Sequence, residues 1–159
     1  AVFTKLDGHA EIHHSLPEDF YWSFAASGQT SFNKPMLTSE QFDITGARAL
    51  SGFTSGALPG DRGWVVRGEF GRAFPALNAM VITPYVFGAI GERTLENPTI
   101  LEFRRLTAKN YGLGTRFNIA ALNEFTPEAY GFVEWSRREV EVNPRLNGDR
   151  IFTGIVLRY

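Results

Sequence analysis

A side-chain period of two restricts this chain more than any other feature of its sequence. From Phe20 to Thr30 the even positions read Phe20, Trp22, Phe24, Ala26, Gly28 and Thr30, and the odd positions Tyr21, Ser23, Ala25, Ser27 and Gln29. Successive side chains of a strand point to opposite faces, so this segment has one apolar wall and one small, polar wall. Trp64, Val66 and Phe70 alternate in the same way with Val65, Arg67 and Glu69, and Met80, Ile82, Pro84, Val86 and Ile90 share one face. Tyr111, Leu113, Phe117 and Ile119 oppose Asn110, Gly112, Gly114, Arg116 and Asn118. Ile151, Thr153, Ile155, Leu157 and Tyr159 oppose Arg150, Phe152, Gly154, Val156 and Arg158. The pattern predicts seven strands, at about 3–14, 19–32, 63–74, 79–91, 105–121, 127–140 and 149–159. At about 11–17 residues they outrun the roughly 5–6 of an ordinary soluble sheet. The expected fold is all-β, an antiparallel up-and-down meander of about seven strands.

The connections carry a second signal. Links around Leu16–Glu18, Ala76–Asn78 and Leu122–Pro127 are short, whereas those at 33–62, 92–104 and 141–148 are longer. Strict alternation of short and long links is the habit of outer-membrane barrels, with tight turns at one end and long loops at the other. Two barrel types remain open on pattern alone. A soluble barrel keeps its apolar face inside; a transmembrane barrel turns it to lipid and lines the lumen with polar and small residues. The polar walls are rich in Ser, Gly, Asn, Ala and Gln, and Lys5, Lys34 and Lys109 are the only lysines. Trp22, Trp64, Trp135 and Tyr159 fall near strand ends, as interfacial aromatic girdles do. These features favour the membrane arrangement. A small soluble β-barrel binding an apolar ligand is the alternative, and it requires Trp22, Phe24, Ile82, Val86, Leu113 and Ile155 to share a dry interior.

Composition removes other classes. Sixteen basic and seventeen acidic side chains give a net charge of −1, without the basic excess of a nucleic-acid reader. With 43% apolar residues the chain is not disordered, and zero cysteines exclude a disulfide scaffold, a thiol nucleophile and a Cys-ligated zinc site. No apolar run approaches the roughly 18–20 residues of a membrane-spanning helix. The chain opens without Met inside what reads as a strand, as a processed chain or an excised fragment would.

Catalytic and cofactor chemistry finds little support. His9, Glu11 and His13 share one strand face, but neighbours on that face are about 6.5–7 Å apart, too far for one metal to take all three. His14 and Ser15 are adjacent on a strand and point to opposite faces, so they do not pair as base and nucleophile. Gly112-Leu113-Gly114-Thr115 lacks the lysine of a phosphate-cradling loop. Arg67, Glu69 and Arg116 read as inward charges of a polar lumen. The expectation is no enzyme and no cofactor.

Residues 36–70 carry a more specific signal: Leu37, Ser39, Glu40, Gln41 and Phe42, then Gly46, Gly52, Phe53, Gly56, Leu58, Gly60, Asp61, Gly63, Arg67 and Glu69. This stretch resembles the haemolysin-activator type of two-partner secretion transporter (TpsB). The resemblance implies a sixteen-stranded outer-membrane barrel behind two periplasmic domains, with the loop between strands eleven and twelve folded back into the lumen. Two strands precede the 33–62 loop here and five follow it. The resemblance therefore takes residues 1–159 as one domain, the C-terminal part of the barrel, without the periplasmic domains and first barrel strands.

Under that resemblance the loop motif comprises Gly46, Arg48, Ser51, Gly52, Phe53, Gly60, Asp61 and Gly63. The lumen-facing set comprises Arg67, Glu69, Phe87, Ala89, Gly91 and Arg116. In the family the loop tip reads Val-Arg-Gly-[Phe/Tyr] and a strand carries Phe-x-Asp-x-Gly, whose carboxylate faces the tip arginine. Here the tip is Leu50-Ser51-Gly52-Phe53 and the strand Phe87-Gly88-Ala89-Ile90-Gly91, so both charges are gone. Arg48 is then the candidate substitute for the tip arginine. Gly60-Asp61-Arg62-Gly63 reads as a turn, with a surface-epitope or gate role implied by the resemblance alone.

Ile155, Leu157 and Tyr159 resemble a C-terminal insertion signal read by the barrel-assembly machinery. The function implied is export of a secreted partner polypeptide (haemolysin or adhesin type) across the bacterial outer membrane without ATP. A barrel-assembly factor of the same superfamily is the second reading. Outer-membrane lipid is an expected partner and nucleic acid is not. An excised half-barrel bares two strand edges, so edge-to-edge self-association or a rearranged smaller barrel is expected.

Overall fold

The computed structural model describes residues 4–76, 79–120 and 128–158. Most of the two short links expected at 76–78 and 122–127, together with Tyr159, lies outside them. Seven long strands form one antiparallel meander: β1 (Leu6–Ser15), β2 (Phe20–Thr30), β5 (Arg62–Arg72), β7 (Met80–Thr94), β8 (Arg105–Ile119), β9 (Glu128–Val140) and β10 (Gly148–Arg158). Two-residue strands β3 (Phe42–Asp43) and β4 (Pro59–Gly60) pair with each other inside the long loop, and β6 (Phe74–Pro75) pairs with the start of β7. No α-helix occurs among the described residues.

The long strands lie close to where the alternation places them, and the differences have local causes. β7 runs to Thr94, three residues past the expected Gly91, because Glu92, Arg93 and Thr94 find partners on both sides, in Arg62–Trp64 and Arg105–Thr107. β2 stops at Thr30, where Phe32 and Asn33 take left-handed φ values of 52° and 62°. The first short turn is Pro17–Asp19, with Glu18 and Asp19 at φ 60° and 62°.

Neighbouring strands lie about 4.8 Å apart, so β5 and β9, three steps apart in sheet order, are about 14 Å apart along the sheet. Yet an Arg67 nitrogen on β5 is 2.9 Å from a Glu134 oxygen on β9. The sheet is therefore rolled into a trough, with one concave and one convex face. Among the described residues β1 pairs only with β2 and β10 only with β9, so the trough is open. The rearranged smaller barrel is not formed: the chain holds the curvature of a wider wall without closing it.

The convex face carries the apolar wall. Trp22, Phe24, Trp64, Phe70, Val86, Leu113, Trp135 and Ile155 are exposed there, with Ile82 half-buried. This is the reverse of a barrel with an apolar ligand cavity. The register also shows a boundary. Going across the sheet, charged or polar residues give way to apolar ones at Trp64 on β5, Ile90 on β7, Leu113 on β8 and Trp135 on β9. In register terms each lies level with or further from the long loops than the one before: Ile90 pairs with Val66, Leu113 with Val86, and Trp135 with Leu113. A plane cutting tilted strands must cross them at such shifting positions.

Candidate functional site

The 33–62 loop does not stand away from the sheet; it folds back onto the concave face. Ile44, Leu50, Phe53 and Leu58 of the loop pack against Val65, Ala89, Leu106, Ala108 and Val140 of the wall, all buried. The loop can turn this tightly because Gly46 takes φ +125°, a left-handed conformation open to glycine at little cost. The Asp43 carboxylate fixes the approach to that turn by accepting from the Thr45 amide at 3.0 Å and the Thr45 hydroxyl at 2.7 Å.

The segment Gly60-Asp61-Arg62-Gly63 is not the expected turn. Gly60 closes β4 and Arg62 opens β5, with Asp61 as a bend between them. Asp61 is buried, which removes the surface-epitope reading. Its carboxylate accepts from the Met36 amide at 2.7 Å, the Gln41 side chain at 3.3 Å and the Glu96 amide at 2.7 Å. A chain that must return to the sheet beside two other loops needs a buried acceptor there, because backbone donors left unpaired cost about 1–3 kcal/mol each. Gly63 sits where a Cβ would come within 2.6 Å of the Glu92 carbonyl.

At the loop tip Ser51 is 1% exposed. Its hydroxyl donates to the Glu134 carboxylate and accepts from Arg67 Nη1 at 2.8 Å and Asn110 Nδ2 at 3.2 Å. Arg67 Nη2 reaches the other Glu134 oxygen at 2.9 Å, and the Tyr85 hydroxyl donates to that oxygen at 2.8 Å. The tip's backbone is held as well: Arg138 donates to the Gly52 carbonyl at 3.2 Å, and Arg150 donates to the carbonyls of Ser51, at 3.2 Å, and Phe53. Gly52 is tightly enclosed: a Cβ would lie 3.1 Å from Asn110 and Ser136 side-chain atoms, so those neighbours would have to give way by a few tenths of an ångström. In the motif this chain resembles, the tip supplies the guanidinium and the wall the carboxylate. Here the wall supplies three guanidiniums and the carboxylate, and the tip offers a hydroxyl and carbonyls.

Below the tip a second pair continues the network. Arg116 Nη2 donates to Glu69 Oε2 at 2.9 Å, Tyr21 donates to Glu69 Oε1 at 2.7 Å, and Arg116 Nη1 also donates to the Tyr21 hydroxyl at 2.9 Å. Glu69 stands 3.4 Å from Arg67, which links the two pairs. Phe87 lies under the Arg67 guanidinium at 3.9 Å, and Tyr85 under that of Arg116 at 4.0 Å. Ala89 packs in the apolar seat of the loop, and buried Gly91 faces the same side. Ala89 stands between Arg67 and Asn110 in register, at the border of the apolar seat, and Arg67 there pairs with Glu134 of the wall.

Arg48 does not replace the missing tip arginine. Its side chain is 85% exposed and touches Glu11 at 3.7 Å. Three residues before the tip, it lies on the open side of the turn, and Arg67, Arg138 and Arg150 already occupy the tip's acceptors. Ile155 and Leu157 lie exposed on the last strand. His13 stacks on Tyr21 at 5.1 Å and His14 lies against Trp22 at 5.7 Å, so each histidine packs on a neighbouring strand's ring.

Sequence reasoning missed Glu134, Tyr85, Asn110, Arg138 and Arg150. The signal was available for four of them. Phe132, Glu134, Ser136 and Arg138 alternate with Val133, Trp135 and Arg137 as clearly as the other strands do, and Asn110 and Arg150 stand in alternations already read. That these side chains converge on the loop tip follows only from the trough's curvature, which brings Glu134 to a serine 83 residues earlier in the chain.

The chain matches the family of the haemolysin secretion/activation protein ShlB/FhaC/HecB over residues 1–111. No curated protein and no solved structure matches it. The matched span contains the folded-back loop, the Asp61 bend and Arg67, while Glu134, Arg138 and Arg150 lie beyond it. With more than half its length matched, and with the loop seated on an all-β meander, the chain belongs to the haemolysin secretion/activation (ShlB/FhaC/HecB) family.

Proposed function

We propose that this chain is the C-terminal part of a bacterial outer-membrane barrel that exports an unfolded partner polypeptide without ATP. The convex apolar wall meets lipid, and the concave face lines a water-filled path in which every strand is paired to its neighbour. Export needs no bond to be made or broken, so the inward charges Arg67, Glu69 and Arg116 position the loop and wet the path, and no residue acts as a catalyst or cofactor ligand. The free edges of β1 and β10 receive the remaining barrel strands, or those of a second copy.

The observation that carries this reading is the loop tip, seated in the trough by contacts that are individually reversible. A plug that stays in place while the path is idle and yields to a passing chain requires that balance. The test uses the full-length protein containing this segment, purified and reconstituted in vesicles, with the unfolded partner polypeptide encoded beside its gene added outside. Polypeptide that becomes protease-protected without any nucleotide supports export. Protection that requires a nucleotide, or catalysed insertion of other barrel proteins with no protection of the partner, overturns it, and the second result favours the assembly-factor reading.

A further inference from the structure

The two ends of the convex face differ in charge. At the short-turn end Phe70, Ile82 and Phe117 continue the apolar wall, and Arg72 lies across the Phe20 and Phe74 rings at 4.8 and 4.9 Å. At the long-loop end, just beyond Trp64, the guanidiniums of Arg62, Arg104 and Arg105 gather around a cavity of about 390 Å³ that Trp64, Glu92 and Thr94 also line. Arg62 and Arg105 flank Thr94 in register, on adjacent strands of one rim row.

Two carboxylates hold these guanidiniums without consuming them. Glu96 is 3.3 Å from both Arg62 and Arg104, and Glu92 is 2.7 Å from Arg105. The carboxylates are largely buried, whereas the Arg104 and Arg105 side chains are 65% and 72% exposed. Each guanidinium has five N–H donors in a planar fork, so one carboxylate contact leaves an open edge. In the cavity lining itself three guanidiniums face one carboxylate, Glu92, with Glu96 behind Arg62 and Arg104 and Glu141 acting on Arg105 from beyond the end of β9. Tryptophan marks the depth at which a bilayer changes from hydrocarbon to headgroup, and Trp64 stands two residues from Arg62 along the strand, or about 7 Å.

We propose that this rim pocket binds the phosphate group of a lipid headgroup in the leaflet at the long-loop end. The inference rests on the reading that the convex face meets lipid. The open edges of Arg104 and Arg105 take the phosphate oxygens in bidentate fashion, Arg62 adds a third charge, and the Trp64 ring packs against the first carbons below the headgroup. Glu92 and Glu96 keep the forks aimed outward.

The test uses the full-length protein in detergent micelles mixed with bisphosphorylated lipid A or with the same glycolipid after removal of its phosphates. Retained glycolipid is read by native mass spectrometry, and heat-modifiable gel migration reports the folded barrel. The phosphorylated form is retained and the dephosphorylated form is not. An Arg104→Gln/Arg105→Gln variant loses retention on the order of tenfold, while Arg158→Gln, on the last strand, retains it as the parent does. Equal retention of both glycolipids, or by the double variant, overturns the proposal while leaving the folded barrel in evidence. Displacement of the glycolipid by equimolar inorganic phosphate or by an acidic peptide overturns it in favour of a free anion or a protein partner. A protein that never migrates as a folded barrel in micelles removes the lipid-facing reading and the proposal together.

Discussion

The concave face has two halves that hold the same loop by different physics. In the upper half Ile44, Leu50, Phe53 and Leu58 are pressed against Val65, Ala89, Leu106, Ala108 and Val140, a contact that is apolar, non-directional and tolerant of small shifts. In the lower half Ser51, Arg67, Glu134, Tyr85 and Asn110 make directional bonds of 2.8–3.2 Å. The upper half sets how tightly the loop sits; the lower half sets where. An ion pair buried with its hydrogen bonds satisfied contributes little net stability, but losing one member leaves the other stranded. The network is thus a weak source of affinity and a strong source of position.

That division can be broken experimentally, beginning with its largest effect. Glu134→Ala takes from buried Arg67 its closer carboxylate, leaving only Glu69 at 3.4 Å, and is expected to destabilise the folded protein by up to about 3–5 kcal/mol, read by urea unfolding in micelles. Leu50→Ala opens a cavity in the apolar seat and is expected to cost about 2–5 kcal/mol by the same measurement. If Leu50→Ala also shifts the loop tip, seen as faster hydrogen exchange of the tip amides without unfolding, the seat positions as well as binds. The double variant Arg67→Met/Glu134→Leu is expected to cost less than Glu134→Ala alone, because no charge is stranded. An equal or greater cost shows that the network is a net source of stability. Ser51→Ala removes one hydroxyl from between Arg67 and Glu134 and is expected to cost about 1–3 kcal/mol, with faster hydrogen exchange of the tip amides. Arg48→Ala is expected to fall within about 0.5 kcal/mol of the parent and to leave loop order and export unchanged.

The strands and their two contrasting faces were legible in the sequence because both depend on a local rule, whereas the outward direction of the apolar face does not follow from alternation and was favoured only by the scarce lysines and the placement of the aromatics. Phe20 to Thr30 declare their two faces through residues two apart, and no distant partner changes that. The end of β7 was less legible, since Glu92 to Thr94 extend the strand only because partners stand on both flanks. The seat of the loop was the least legible part. The residues that mark it in the resembling motif are Ser51 and Ala89 here, and their replacements in function, Glu134, Arg138 and Arg150, come from strands far along the chain. Asp61 shows a different failure. Asp beside Gly ordinarily signals a turn, but here burial converts the same dipeptide into an acceptor that joins three segments.

That acceptor has a mechanical meaning. One Asp61 carboxylate grips the amide of Met36 at the root of the 33–62 loop and the amide of Glu96 at the root of the next. A pull on the first root is therefore delivered to the second through two bonds and a rigid strand end. Thr99 and Glu102, in the stretch beyond that second root, are open to solvent, so a chemical label placed on either would register from outside a displacement that takes place deep within the trough.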